Sequence, residues 1–189
     1  LAAVKAAGEI IDRLLAPGGV AIVDPAMADN GKLYSGFDED YVRAIGSLAG
    51  KADIILPNVT EAAILSGLPY QENIDRNYVN QLLNGLNHPC AVLTGVDFDE
   101  DSTGIVLQEG TVQHEYRHKR IGNGCHGTGD IFAAVFTGAL MQGKNRLDAA
   151  KIAADFTCRC IKNTVNAPAH WYGVKFEPLL PELMEMPGR

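Results

Sequence analysis

The sequence predicts a three-layer α/β domain, with a mainly parallel sheet and an antiparallel strand pair at its edge. Three observations predict it. Residues 19–25, 52–58 and 90–95 are short apolar runs that alternate with helical periodicity and read as buried parallel strands. They deliver Asp24, Asn58 and Thr94 to their C-terminal ends, where open α/β sheets place their ligands. Residues 104–107 and 112–117, joined through Glu109-Gly110, read as a hairpin. Last, a segment with glycines at 122, 124, 127 and 129 leads through Asp130 into the apolar run Ile131-Phe132-Ala133-Ala134-Val135-Phe136, a flexible loop opening a buried helix.

The remaining elements follow in order. Leu1, Val4, Ile10, Ile11, Leu14 and Leu15 mark an amphipathic helix, stopped by Pro17-Gly18-Gly19. There is no initiator methionine, and the chain is expected to be the C-terminal part of a longer one. Residues 26–37, with Asp29-Asn30-Gly31 and Tyr34, read as loop. Asp38 is placed to cap a helix reaching Leu48. Thr60 and Glu61 open a helix stopped at Gly67, and another is expected from about Ile74 to Leu86. A final helix is expected over residues 146–164, before a proline-rich tail. No repeat or linker interrupts the pattern, so residues 1–189 read as one domain.

Composition narrows the function classes. A net charge of −7 with 21% charged residues argues against a nucleic acid or an anionic membrane as partner. No apolar run reaches the roughly 18 residues of a spanning helix, and no signal peptide is visible. Cys90, Cys125, Cys158 and Cys160 are too few and too irregular for a disulfide scaffold or a zinc site. The expectation is reduced thiols and a cytoplasmic location. Asn58-Val59-Thr60 matches a glycosylation acceptor by chance.

Two motifs mislead. Gly122-x-Gly124-x-x-Gly127 has the dinucleotide-binding spacing, but residues 114–120 before it are too polar for a central strand. The acid at the right distance, Asp148, has no second strand before it. Gly138-x-x-x-x-Gly143-Lys144 resembles a P-loop, yet it sits at a helix end, which repels anions, and Asn145 replaces the magnesium-binding hydroxyl. Gly143 is therefore a helix stop. The histidines lack metal-ligand spacing; His114 and His118 share one side of a strand, the usual solvated face, and His126 is a ligand-contact candidate in the glycine loop.

The first amides of a helix have no partner within it and carry partial positive charge. A glycine loop at that point is an anion cradle, and Asp130 puts a carboxylate at its edge. The combination suits moving a phosphoryl group onto a hydroxyl.

With these residues in view, the chain resembles the ribokinase-like superfamily and, within it, the pyridoxal/pyridoxamine kinases. Gly127-Thr128-Gly129-Asp130 before an apolar helix is the most specific marker. Asp24-Pro25-Ala26-Met27-Ala28-Asp29 with downstream Tyr34 is similar to the family's Asp-Pro-Val-Met-Gly-Asp segment and tyrosine, and Asn58-Val59-Thr60-Glu61 matches its Asn-x-x-Glu signature. The resemblance implies ATP-dependent phosphorylation of the 5′-hydroxymethyl group of vitamin B6. It makes Asp130 the general base and the amides of Gly127, Thr128 and Gly129 the anion hole. Glu61, Asn58 and Asp24 become the magnesium group, acting through ordered waters. Asp24, Asp29, Tyr34, Asn58, Thr94, Gly124 and His126 would face ATP. A B6 vitamer is the expected small-molecule partner, and the homodimer common in the family is a further expectation. Ala26 and Ala28 depart from the family's valine and glycine. Cys125-His126 resembles hydroxymethylpyrimidine kinases, although those commonly carry cysteine where this chain has Asp130. A ring-alcohol kinase of that kind and a non-catalytic nucleotide-binding fragment are the rival expectations. The N-terminal third of such kinases, with much of the B6 pocket, is expected to be absent here.

Overall fold

The computed structural model describes residues 1–122, 125–167, 170 and 172–184. They form two compact units: Leu1–Asp99 with Thr103–Glu115, and Glu100–Ser102 with the residues from Tyr116 onward.

In the first unit, α1 (Ala2–Leu14) ends ahead of Pro17 and leads to β1 (Ile22–Val23). α2 (Glu39–Ala49) starts where the sequence places it, the Asp38 carboxylate accepting from the Tyr41 amide at 2.9 Å. β4 (Ile54–Ile55) and α3 (Val59–Ser66) follow, α3 closing at Gly67 in the left-handed region. α4 (Arg76–Leu86) begins slightly later than its periodicity suggests, because Asp75 caps it by accepting from the Tyr78 amide at 2.7 Å. β5 (Cys90–Asp97), β6 (Ser102–Glu109) and β7 (Val112–Lys119) complete the sheet, in the order β1-β4-β5-β6-β7. β1 pairs with β4, and β4 with β5, in parallel; β5 and β6 are antiparallel. This is the mostly parallel α/β arrangement the sequence predicts.

One sheet face, with Val23, Ile55, Ala91, Leu93 and Val106, packs against α2, α3 and α4 through Ala49, Ala62, Tyr78, Leu82 and Leu83. Ile54, Val92 and Leu107 alternate to the opposite face and are equally buried. Burial on both faces is why these strands read as continuous apolar runs. Each fully buried leucine or valine there contributes about 1.5–3 kcal/mol.

Two local structures differ from the sequence expectation. Residues 26–37 are more than loop: β2 (Ala28–Asp29) and β3 (Lys32–Leu33) form a small antiparallel hairpin. Its central residues, Asn30 at φ 50 and Gly31 at φ 75, are the Asn-Gly pair that a tight hairpin turn requires. Likewise β5 does not stop near Thr94. Gly95, at φ 65, absorbs a register shift between Thr94 and Val96, and the strand runs on to Asp97.

The second unit is built on α5 (Thr128–Met141) and α6 (Arg146–Val165), which pack against each other. Phe132, Val135, Phe136 and Ala139 form the buried stripe of α5; α6 presents the small Ala149, Ala150 and Ala153, which allow close approach. Gly143, at φ 79, follows the end of α5, as a helix stop should. The tail read only as proline-rich contains a 3-10 turn (Glu177–Leu179) and α7 (Leu180–Met184). His118 is not on a solvated face: it is half-buried, with Nδ1 3.0 Å from Cys158 Sγ, while Tyr116 donates to Asp155 at 2.7 Å. All four cysteines are free. Among the described residues no helix is long and apolar enough to cross a membrane.

Candidate active site

The parallel register brings the first group of expected site residues to one end of the sheet. Asp24 follows β1, Asn58 follows β4, and Asn58 and Thr94 form a parallel bridge, the Thr94 amide donating to Pro57 O at 2.9 Å. Asn58 is the N-cap of α3: its Oδ1 accepts from the Glu61 amide at 2.9 Å, and Glu61 Oε2 accepts from the Asn58 amide at 2.9 Å. This reciprocal box explains the Asn-x-x-Glu spacing locally.

Glu61 does more than close the box. It is only 2% exposed, and its Oε1 accepts from the amides of Met27 at 3.0 Å and Ala28 at 3.4 Å. Asn58 Nδ2 donates to Ala28 O at 2.8 Å, and Thr60 Oγ1 accepts from the Gly31 amide at 3.0 Å. The first turn of α3 therefore grips the β2–β3 hairpin from Met27 to Gly31. Burial pushes the Glu61 carboxyl up from 4.5 to about 7; the amides of Asn58 and Met27 pull it down, and the negative charge of Asp24 adds to the rise. Asp29 and Tyr34 lie on the same hairpin, both exposed. Asp29 accepts from the Asn30 amide at 2.9 Å, and Tyr34 is held by its own amide donating to Met27 O.

The magnesium expectation can be tested on these donors. Three amides occupy most of the lone-pair capacity of Glu61, and among the described residues no cluster of three or more His, Cys, Asp or Glu is arranged to hold a metal ion. A direct protein cage does not fit. Half-buried Asp24, close enough to Glu61 to raise its pKa, fits a hydrated cation held through water.

The second group lies in the second unit. Gly127 is the N-cap of α5 at φ 84, a left-handed conformation that explains the glycine, and among the described residues no side chain caps this helix. Thr128, Gly129 and Asp130 form its first turn, with Gly129 and Asp130 exposed. The Asp130 carboxylate folds back: its Oδ2 lies 4.0 Å from where a Gly127 Cβ would stand. A helix start with exposed glycines and a carboxylate beside them can bind an oxyanion and accept a proton. His126 is exposed, immediately before Gly127. Gly124 lies outside the described residues.

Sequence reasoning missed what holds each group. In the first unit these are Thr60 and Tyr70, whose ring would meet a Gly31 Cβ at 2.6 Å. In the second they are Asn163, Thr164, Gly173 and Val174. Their contacts join residues far apart in the chain, which periodicity does not register.

The sheet order, the parallel core with its antiparallel edge, and the glycine-opened α5 define an α/β fold of the ribokinase-like kinases. The phosphomethylpyrimidine kinase family matches residues 1–174, and the chain belongs to that family. It is 29% identical over 146 residues to a hydroxymethylpyrimidine/phosphomethylpyrimidine kinase of Bacillus subtilis, covering 76% of this chain and 54% of that protein. A Bacteroides thetaiotaomicron structure, provisionally assigned as a phosphomethylpyrimidine kinase, superposes with a TM-score of 0.90 at 27% identity, covering 98% of this chain and 66% of that one. A second crystal form of it, with pyridoxal, gives 0.82. Pyridoxal kinase from Lactobacillus plantarum is 33% identical with a TM-score of 0.76, covering 86% and 60%. Pyridoxal kinase from Staphylococcus aureus in complex with AMP-PCP is 25% identical with a TM-score of 0.72, covering 85% and 58%. The chain thus spans little more than half the length of the Bacillus subtilis relative.

Proposed function

We propose that the protein transfers the γ-phosphoryl group of ATP to the hydroxymethyl group of a small heteroaromatic alcohol, with a B6 vitamer as acceptor. The observation that carries this reading is the start of α5: a left-handed glycine N-cap without a side-chain cap, followed by the exposed carboxylate of Asp130. In the reaction the acceptor oxygen forms a bond to the γ-phosphorus, the bond from phosphorus to the ADP oxygen breaks, and Asp130 takes the hydroxyl proton. The amides of Gly127, Thr128 and Gly129 stabilise the charge on the phosphoryl oxygens in flight. When bound, magnesium supplies charge neutralisation on the β- and γ-phosphates, and Asp24 is the residue that would hold it, through water. Glu61 orders the β2–β3 hairpin rather than meeting the metal directly.

Asp130, in place of the cysteine common to hydroxymethylpyrimidine kinases, favours the B6 acceptor. The crystal form of the Bacteroides protein with pyridoxal supports the same choice. A second reading, hydroxymethylpyrimidine as acceptor, is favoured by the family match and the curated relatives. Mg-ATP turnover with pyridoxal, pyridoxamine, pyridoxine and hydroxymethylpyrimidine in parallel, followed by ADP release, tests both. Turnover with a B6 vitamer at the highest kcat/KM is the expected result. Preference for the pyrimidine would replace the first acceptor by the second, and no transfer to any of the four would sink the kinase reading.

A further inference from the structure

In the second unit a strut of backbone at residues 173–175 is tied both to the last turn of α6 and to the residue before Gly127. Thr164, in its last turn, is 9% exposed and uses its hydroxyl twice: it donates to Cys160 O at 2.7 Å and accepts from the Lys175 amide at 2.7 Å. Asn163 Nδ2 donates to Lys175 O at 2.9 Å, so both polar groups of that peptide residue are held by neighbouring side chains. One residue earlier, the Val174 amide donates to His126 O at 3.0 Å. The buried Val174 side chain stands 3.6 Å from where a Gly127 Cβ would lie. Gly173, at φ 124, lies beside it, an added Cβ standing in ordinary contact with His126 O at 3.4 Å.

We propose that Asn163, Thr164 and Gly173 are positioning residues: through the strut at residues 173–175 they fix the carbonyl of His126 and so preset the Gly127, Thr128 and Gly129 amides for the phosphoryl group. This inference rests on the phosphoryl-transfer reading. The chemistry is specific about which atoms matter. Among the described residues no side chain caps the start of α5, and the hydrogen bond from Val174 to His126 O holds its entry from outside. The Thr164 hydroxyl donates its one proton to Cys160 O, which turns a lone pair towards the Lys175 amide. Serine preserves both bonds; valine, of the same shape, removes both and leaves a backbone N–H without its acceptor. Alanine at 173 attacks the strut by another route, through a φ that side chains rarely adopt.

The test uses the 189-residue chain with Thr164→Val, Thr164→Ser and Gly173→Ala, reading amide hydrogen exchange around residues 126–131 together with kcat and KM for ATP. In Thr164→Val and Gly173→Ala, exchange in that segment should quicken about tenfold or more, with peptides from β5 and α4 unchanged. Displacement of a reacting group by about 1 Å costs about 10²-fold, so kcat should fall on that order with KM for ATP little altered. Thr164→Ser should match wild type in both readouts. Unchanged exchange in both disruptive variants overturns the proposal, and so does faster exchange with wild-type kcat. If wild-type protein transfers no phosphate from ATP, the functional reading fails and the catalytic meaning of the strut fails with it. The exchange result would then still decide whether the strut sets the loop.

Discussion

Two helix starts in this chain take the same physics in opposite directions. α3 opens with a full capping box: Asn58 and Glu61 satisfy each other's amides, and Glu61 goes on to accept from Met27 and Ala28. α5 opens on Gly127 with no side-chain cap and leaves Gly129 and Asp130 exposed. In α3 the partial positive charge of the helix end is spent internally, on a buried carboxylate that ties a hairpin down. At α5 it remains on offer to an external anion. The difference teaches that a carboxylate in the first turn of a helix is not by itself a catalytic signature. What separates Glu61 from Asp130, among the described residues, is the set of backbone amides that occupies Glu61 and the exposure of Asp130.

The comparison is broken most easily by making the same isosteric change at both places. Asp130→Asn keeps the shape and removes the base; turnover should fall by about 10²–10⁴-fold. The thermal midpoint should stay near wild type, because this side chain is exposed and among the described residues no side chain caps α5. Steady-state kinetics beside a thermal melt reads both, and near-wild-type turnover would remove Asp130 from the reaction. Glu61→Gln should do the reverse. Its amide nitrogen must face one of the N–H groups of Asn58, Met27 or Ala28, setting donor against donor in a buried site. A buried group left unsatisfied costs about 1–3 kcal/mol, which urea unfolding would resolve. An unchanged midpoint would show that the grip on the hairpin is not what α3 contributes.

The pH dependence sharpens the contrast further. Burial holds the folded Glu61 carboxyl at about 7 against 4.5 unfolded, so between these values the folded state binds more protons than the unfolded one. Stability from this group is therefore complete below pH 4.5 and is lost as pH rises towards and through about 7. Wild type minus Glu61→Gln, measured by urea unfolding from pH 4.5 to 8, should show that decline. A difference that stays flat, or rises with pH, would mean the three amides outweigh burial and the carboxylate is ionised throughout.

Much of this was legible in the sequence, for local reasons. Asp38, Gly67, Gly127 and Gly143 mark helix ends through chemistry that acts within a few residues, and the apolar runs of β1, β4 and β5 announce strands buried on both faces. Thr94, Asn58 and Asp24 could be placed at one sheet end because parallel strands share a direction. Other features were hidden because their partners are distant. Nothing near Glu61 discloses the amides of Met27 and Ala28, more than thirty residues away. The bond of the strut from the Val174 amide to His126 O is likewise non-local. Gly95 misled for a different reason: a glycine after an apolar run looks like a strand end, and here it is a bulge inside a longer strand. The Asn30-Gly31 pair did carry a hairpin signal, but the two-residue strands beside it are too short to show alternation.

The smallest expected effect calibrates the others. Asp38 caps α2 through one hydrogen bond to the Tyr41 amide at an exposed site. Replacing a cap of this kind with alanine costs about 1 kcal/mol, and since among the described residues Asp38 bonds only within α2, turnover should not change. If Asp38→Ala destabilises as much as Glu61→Gln, helix capping alone accounts for what Glu61 does, and its bonds to Met27 and Ala28 add nothing measurable. If Glu61→Gln costs clearly more, the excess belongs to the hairpin that α3 grips, and the two helix starts differ in energy as they do in geometry.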